Sequence, residues 1–321
     1  MNILVTGGLG LIGHNVVAKL QKQGHNVVVT DTRTTYGIIP QDEIDYLMIE
    51  RLKKIQPGQI HAIDIVSDSI EWLFERYKFD MVIHMASFPR QKVVNANPAL
   101  GARTMMEGLL NLCEASVKHN VKKFIYISSS MVYGDFTDDV TEDYNCKPQG
   151  QYGIMKLSGE WLVKDYSRKG HFTHTIIRPS AVYGPLDVED RVIAKFMLTA
   201  MRGGTLKVNG ASETLDFTYV EDAADGIVAA ALSDNTNNKT YNITKSHSRS
   251  LLDAANLAVK IAGKGSIEVK DKDADFPSRG ALNIDAARRD FGYDPKVDVE
   301  EGFQKYYEWL SNSPFWSSKT V

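Results

Sequence analysis

Three glycines, Gly7, Gly10 and Gly13, stand at three-residue spacing between an apolar run and an amphipathic one. The apolar run is Asn2 to Thr6, and the amphipathic run extends from Leu11 to Gln23 and stops at Gly24. A second apolar run, Asn26 to Thr30, ends in Asp31. This order predicts strand, glycine turn, helix, strand, the opening unit of a parallel α/β sheet. Gly7 permits the tight turn, Gly10 lets the backbone approach a pyrophosphate, and Gly13 lets the helix lie close on the strand. The first helical turn, with Leu11 and Ile12, then offers unpaired N–H groups and a partial positive charge to an anion.

The acid after the second strand adds to this. Asp31 lies 24 residues beyond Gly7, close to the spacing at which a carboxylate binds adenosine ribose hydroxyls. A carboxylate there repels a 2′-phosphate, so NAD is favoured. Arg33 keeps NADP open as the lesser alternative.

The alternation continues. Asp80 to Met85, Lys123 to Ser128 and Phe172 to Arg178 read as strands. Asn97-Pro98 reads as a helix start, cap then proline, with the helix running to about His119. Gln151 to Lys169 reads as another helix, closed by Gly170. The expected fold is α/β: a Rossmann-type doubly wound parallel sheet over residues 1–180, with returning segments at about 211–245. Beyond Pro185 the regular alternation ends, and residues 181–321 are expected to form mainly a smaller α/β substrate lobe. Helices are expected there over Arg191–Met201, Glu221–Leu232, Leu251–Ala262 and Val299–Leu310. One stretch, Thr32 to Gly58, is too long for a structureless connection. It is expected to carry a helix, Ile44 to Ile55, near the cofactor, before a strand at Gln59 to Ala62.

Bulk properties exclude several classes. A net charge of −3 over 321 residues argues against a nucleic-acid or anionic-membrane binder. Two cysteines, Cys113 and Cys146, make no disulfide framework. No basic, apolar leader opens the sequence, and no apolar run approaches the roughly 18 residues of a membrane span. A cytoplasmic enzyme without a metal is the expectation.

Tyr152 and Lys156 are four residues apart on an expected helix, so their side chains share one face. A phenol, with a pKa near ~10, is a poor base at neutral pH. A nearby ammonium favours the phenolate. The pair follows the serine run Ser128-Ser129-Ser130.

The glycine spacing resembles that of the extended short-chain dehydrogenase/reductase family. Further stretches resemble its nucleotide-sugar epimerase and dehydratase branch: Asp64-Ile65, His84-Met85-Ala86-Ser87, Ile127 to Gly134, Arg178-Pro179 to Pro185, and Asp216 to Asp222. The resemblance implies that Ser129 binds the substrate oxygen and shares its proton with Tyr152, with Ser130 the alternative. It implies that Lys156 and Tyr152 hold the nicotinamide ribose, and that Asp64, Ile65, Met85, Ala86, Ser87, Ile127, Arg178 and Pro179 border the cofactor. His84 is read as structural. Ser87, Ser129, Ser130 and Tyr152 are expected to touch substrate. A homodimer through the helices starting near Pro98 and Gln151 is implied as well.

The dehydratases of that branch carry Asp-Glu after the catalytic residue; here those positions are Ser130 and Met131. An NAD-dependent 4-epimerase of a nucleotide sugar, working through a 4-keto intermediate, is the favoured reading. A sugar ketoreductase or dehydrogenase is the alternative, and a non-catalytic NAD sensor a third. Leu215 stands where many members have an arginine, Ala181 where they have an asparagine, and the usual Arg-Pro-Gly-Asp motif is absent. Arg191 and Arg279 are the candidates for a substrate anion, since a guanidinium suits phosphate and carboxylate.

Overall fold

A computed structural model describes residues 1–34, 37, 39–88, 90–274 and 276–318. The first unit forms as its pattern demands: β1 (Asn2–Thr6), α1 (Leu11–Lys22) and β2 (Asn26–Thr30). Then come α2 (Gln41–Leu52), β3 (Gln59–His61), α3 (Ile70–Tyr77) and β4 (Met81–His84). Next are α4 (Gln91–Ala96), α5 (Pro98–Ala102), α6 (Gly108–Lys118) and β5 (Lys123–Ile127). They are followed by α7 (Gly150–Arg168), β6 (Thr173–Pro179), β7 (Val182–Tyr183) and α8 (Val192–Met201). The remainder is β8 (Thr205–Asn209), β9 (Thr214–Asp216), β10 (Thr218–Tyr219), α9 (Val220–Leu232), β11 (Lys239–Ile243), β12 (Ser248–Ser250), α10 (Leu251–Ala262), β13 (Ser266–Lys270), α11 (Asp285–Phe291), α12 (Val299–Asn312) and α13 (Pro314–Ser317).

Seven strands form one sheet in the order β11-β6-β5-β4-β1-β2-β3, every pair parallel. Side chains alternate between its faces. Ile3, Val5, Val27, Val29, Ile83 and Ile125 pack on one side with α1 and α9. Leu4, Val28, Val82, Phe124 and Tyr126 pack on the other with α3, α6 and α7. Both faces are therefore buried, as a parallel sheet requires. The smaller lobe has its own core, in which Phe196, Met197, Leu206, Val208, Ala255, Phe303, Tyr306 and Trp316 meet.

Two segments differ from expectation. The helix expected from Pro98 to about His119 is interrupted by a π turn, Arg103–Glu107. The helix expected from Ile44 to Ile55 forms over Gln41–Leu52, and Ile284, Ala287 and Tyr293 pack in the α1 and α9 core.

Candidate active site

The glycine turn is tight. Gly7 has φ +68, and a Cβ there would lie 2.7 Å from the Ala86 nitrogen. A Cβ on Gly13 would lie 2.8 Å from the Gly8 Cα. At Gly10 a Cβ would meet only one atom, the Gly7 carbonyl oxygen at 3.2 Å, so that side of the turn is open. No side chain caps the N-terminus of α1, which leaves its first N–H groups for an anion. Leu11 and Ile12 are half-buried there against Val182 and Val220. Asp31 accepts the Leu9 N–H at 3.0 Å and the Arg33 N–H at 2.9 Å. This open turn, free helix end and positioned carboxylate fit a dinucleotide.

The other cofactor candidates fall into two groups. Met85, Ala86 and Ser87 follow β4 beside Gly7 and are half-buried. Thr6 Oγ1 accepts the N–H groups of both Met85 and Ala86, each at 3.2 Å. His84 is structural, with its Nδ1 2.8 Å from Thr6 Oγ1. Asp64 is exposed and accepts the Val66 N–H, whereas the Ile65 side chain is buried among Leu4, Val28 and Leu109. Arg178 is a buried side chain. Its guanidinium turns into the interior, where it binds Glu160 through Nε at 2.9 Å and Nη2 at 2.7 Å, and Tyr133 Oη at 2.9 Å. Pro179 ends β6 in register with Ile243.

Three side chains converge at the ends of β5 and α7. Tyr152 and Lys156 lie one turn apart and are both buried. Lys156 Nζ donates to the Ile127 carbonyl at 2.8 Å and sits 5.9 Å from the Tyr152 ring centre. Burial pulls the Lys156 ammonium down to about 7, opposed by the Glu160 carboxylate. Burial raises the Tyr152 phenol, opposed by the Ser129 hydroxyl bonded to it and by the Arg191 and Arg279 charges. Burial thus disfavours the charged form of both groups, the Tyr152 phenolate and the Lys156 ammonium, while the Ser129 hydroxyl and the two arginine charges favour the phenolate. Ser129 is the residue aimed at Tyr152. Ser130 donates instead to Ser180 Oγ at 3.2 Å. Met131 packs with Phe88, Val94, Met105 and Tyr152, an apolar wall beside the phenol.

Arg279 faces the same space. Its Nε is buried without a hydrogen-bond partner among the described residues. Burial and the Arg191 charge lower its pKa to about 10. Arg191 itself lies 3.7 Å from Asp187.

Three further residues at the site were not anticipated. Arg90 binds the Asp190 carboxylate at 2.7 Å and the Asp190 carbonyl at 2.9 Å, bridging the main sheet to the start of α8. Arg51, on α2, reaches the glycine turn. Glu160 follows Lys156 by one further turn, a spacing that the sequence carries openly. No spacing marks Arg90 or Arg51. No helix among the described residues is long and apolar enough to cross a membrane, and no metal-binding cluster occurs among them.

Known proteins resemble the whole chain. The uncharacterized UDP-glucose epimerase YtcB of Bacillus subtilis (strain 168) is 28% identical over 97% of this chain and 98% of its own length. The UDP-glucuronic acid 4-epimerase of Bacillus cereus, solved with UDP-glucuronic acid and NAD, superposes with a TM-score of 0.89 at 29% identity, covering 96% of this chain and 98% of that one. The UDP-glucose 4-epimerase of Thermotoga maritima, solved with UDP-glucose, gives 0.86 at 27% identity, covering 97% and 98%. The model of one family matches residues 3–244, and the chain belongs to that family, the NAD dependent epimerase/dehydratases.

Proposed function

We propose that this protein is an NAD-dependent epimerase of a nucleotide sugar, acting at C4 through a 4-keto sugar. The observation that carries the reading is the convergence of Tyr152, Ser129 and Lys156 at the cofactor side of the sheet, with Ser130 and Met131 where elimination would need an acid and a base. Bound NAD supplies a reversible hydride acceptor. The residues do the rest. The Tyr152 phenolate takes the proton of the C4 hydroxyl while Ser129 holds that oxygen. Lys156, fixed by the Ile127 carbonyl, stabilises the phenolate and orients the nicotinamide ribose. The apolar wall of Met131 and Met105 excludes water from the ketone. Once the ketone presents its opposite face, Tyr152 returns the proton.

Asp31 is assigned to the adenosine ribose, the open turn at Gly10 to the pyrophosphate, and Met85 to Ser87 to the nicotinamide side. Arg191 and Arg279 are assigned to an anion of the substrate. Supporting this is the buried, unpartnered Nε of the half-buried Arg279. The relatives named above act on or bind UDP-sugars, so a UDP-sugar is the first substrate to test. A homodimer is part of the proposal, supported by the exposed apolar side chains Leu100, Leu110, Ile154 and Trp161 on α5, α6 and α7, Trp161 at 65%. A cytoplasmic location agrees with two free cysteines.

The test is to incubate purified protein with UDP-glucose or UDP-glucuronic acid and no added cofactor. Interconversion with the matching C4 epimer supports the reading. Stoichiometric consumption of added NAD(P)H with a keto-sugar would replace it by a reductase.

A further inference from the structure

The segment between β2 and β3 is the one that the proposed chemistry leaves without a role. Its helix, α2, touches three parts of the molecule. Tyr46 stacks on Phe315 with ring centres 4.7 Å apart and meets Ser313 Oγ at 2.7 Å, so it docks on the C-terminal helices of the smaller lobe. The Glu43 carboxylate accepts the Glu189 N–H at 2.7 Å. Arg51, only 4% exposed, donates through Nη1 to the Leu9 carbonyl at 2.8 Å and through Nη2 to the Leu186 carbonyl at 2.7 Å.

Those two carbonyls belong to different machinery. Leu9 is in the glycine turn, and its peptide is gripped at both ends: Asp31 takes its N–H and Arg51 its C=O. Leu186 is in the crossover that leaves β7 and reaches Arg191 and α8. It holds a left-handed backbone conformation, φ +70, which a leucine adopts only when its surroundings impose it. The Arg51 charge faces three carboxylates, Asp187 on the crossover, Asp31 and Glu43, and stands near the Tyr306 phenol. It is therefore a buried cation whose two outer nitrogens bond cofactor turn and substrate crossover at once.

We propose that Arg51 is a positioning residue for the bound cofactor: it links the glycine turn to the Leu186–Arg191 crossover, so that seating NAD orders the crossover and an ordered crossover retains NAD. This rests on the NAD-binding part of the proposed function and not on the identity of the sugar. A retained cofactor is what an epimerase needs, since the same molecule must serve both halves of the turnover.

The test uses the full chain with NAD alone. NAD affinity and dissociation rate are measured for wild type, Arg51→Lys, Arg51→Met and the double variant Arg51→Met/Asp187→Asn, each well below its Tm. The double variant removes the buried Asp187 charge that Arg51→Met would leave exposed to no cation on α2. Arg51→Met is expected to bind NAD about tenfold or more weakly and to release it faster, with Arg51→Lys intermediate. The double variant is expected to regain thermal stability without regaining NAD affinity. Hydrogen exchange adds the coupling readout. In wild type, NAD should protect both residues 7–10 and residues 186–191; in the double variant it should protect only the turn. Folded variants with wild-type NAD affinity and unchanged protection of 186–191 would reduce Arg51 to a structural bond and overturn the proposal. Wild-type protein that bound no NAD would remove the functional reading as well, so the two failures are distinct.

Discussion

Arg178 and Glu160 form a two-pronged ion pair in the interior, Nε to Oε1 at 2.9 Å and Nη2 to Oε2 at 2.7 Å, with the Glu160 side chain fully buried. Ser128 Oγ donates to the same carboxylate at 2.6 Å. The pair therefore fastens α7, which carries Tyr152 and Lys156, to β6 and to the end of β5, where Ser129 begins. Glu160→Gln leaves a buried guanidinium without its countercharge and should cost about 3–5 kcal/mol. The measurement is urea or thermal unfolding of the NAD-free protein. The double variant Glu160→Met/Arg178→Met removes both charges and should recover most of the loss. Equal loss in single and double variants would show that packing, not the ion pair, holds α7.

Tyr152→Phe keeps the ring and removes the phenol. Turnover should fall by roughly 10²–10⁴-fold, the usual contribution of a positioned acid or base. NAD binding should persist, because the Lys156 bond to Ile127 remains. Ser129→Ala removes one hydrogen bond to a charged partner and should slow turnover by about ten- to a hundredfold. Measured rates for either variant at the wild-type level would dismiss the assigned base or its partner.

The path from sequence to site was uneven for physical reasons. The glycine turn, Asp31 and the Tyr152/Lys156 pair were legible because each is a local pattern: a spacing, a strand end, a helix face. The sheet was legible for the same reason, since each strand is a continuous apolar run. The direction of the Arg178 side chain was not legible, because a motif fixes a residue's place on the backbone and not where a long side chain points. Here a carboxylate on α7, 18 positions earlier in sequence, drew the guanidinium inward. Arg51 and Arg90 were illegible because their partners, Leu9, Leu186 and Asp190, are 42, 135 and 100 residues away. Only the assembled fold brings them together.

Cofactor choice turns on Asp31. Both of its oxygens accept backbone N–H groups of the loops that flank it, so the carboxylate is fixed in place. Asp31→Asn removes the charge that repels a 2′-phosphate and leaves Arg33 available to pair with one. The ratio of NAD to NADP affinity should fall by about tenfold or more, the effect of one charged contact. Titration of the variant with both cofactors reads it directly. An unchanged ratio would place the ribose elsewhere.

Three buried histidines should each cost stability as pH falls below neutral. Burial lowers His14 to about 3, helped by Arg51; it lowers His84 to about 3, helped by Lys156; and it lowers His174 to about 4, helped by Lys164. Their ordinary value is 6.5. A depressed histidine is neutral in the folded protein, while the unfolded chain takes up its proton. Its contribution is therefore intact above pH 6.5 and is lost as pH falls from there toward 4. Asp216 acts oppositely. Burial raises it to about 6, so the folded protein binds that proton first and gains stability between pH 6 and 3.8. Burial raises Glu142, Asp187 and Asp222 as well, and they act in the same direction as Asp216. Each histidine held neutral costs at most ~1.4 kcal/mol per pH unit below its ordinary value. Urea midpoints at pH 7, 6 and 5 measure it. His84→Asn, which keeps a side chain able to bond Thr6, should change the slope by one proton's worth relative to wild type, and an unchanged slope would mean that His84 is not held neutral.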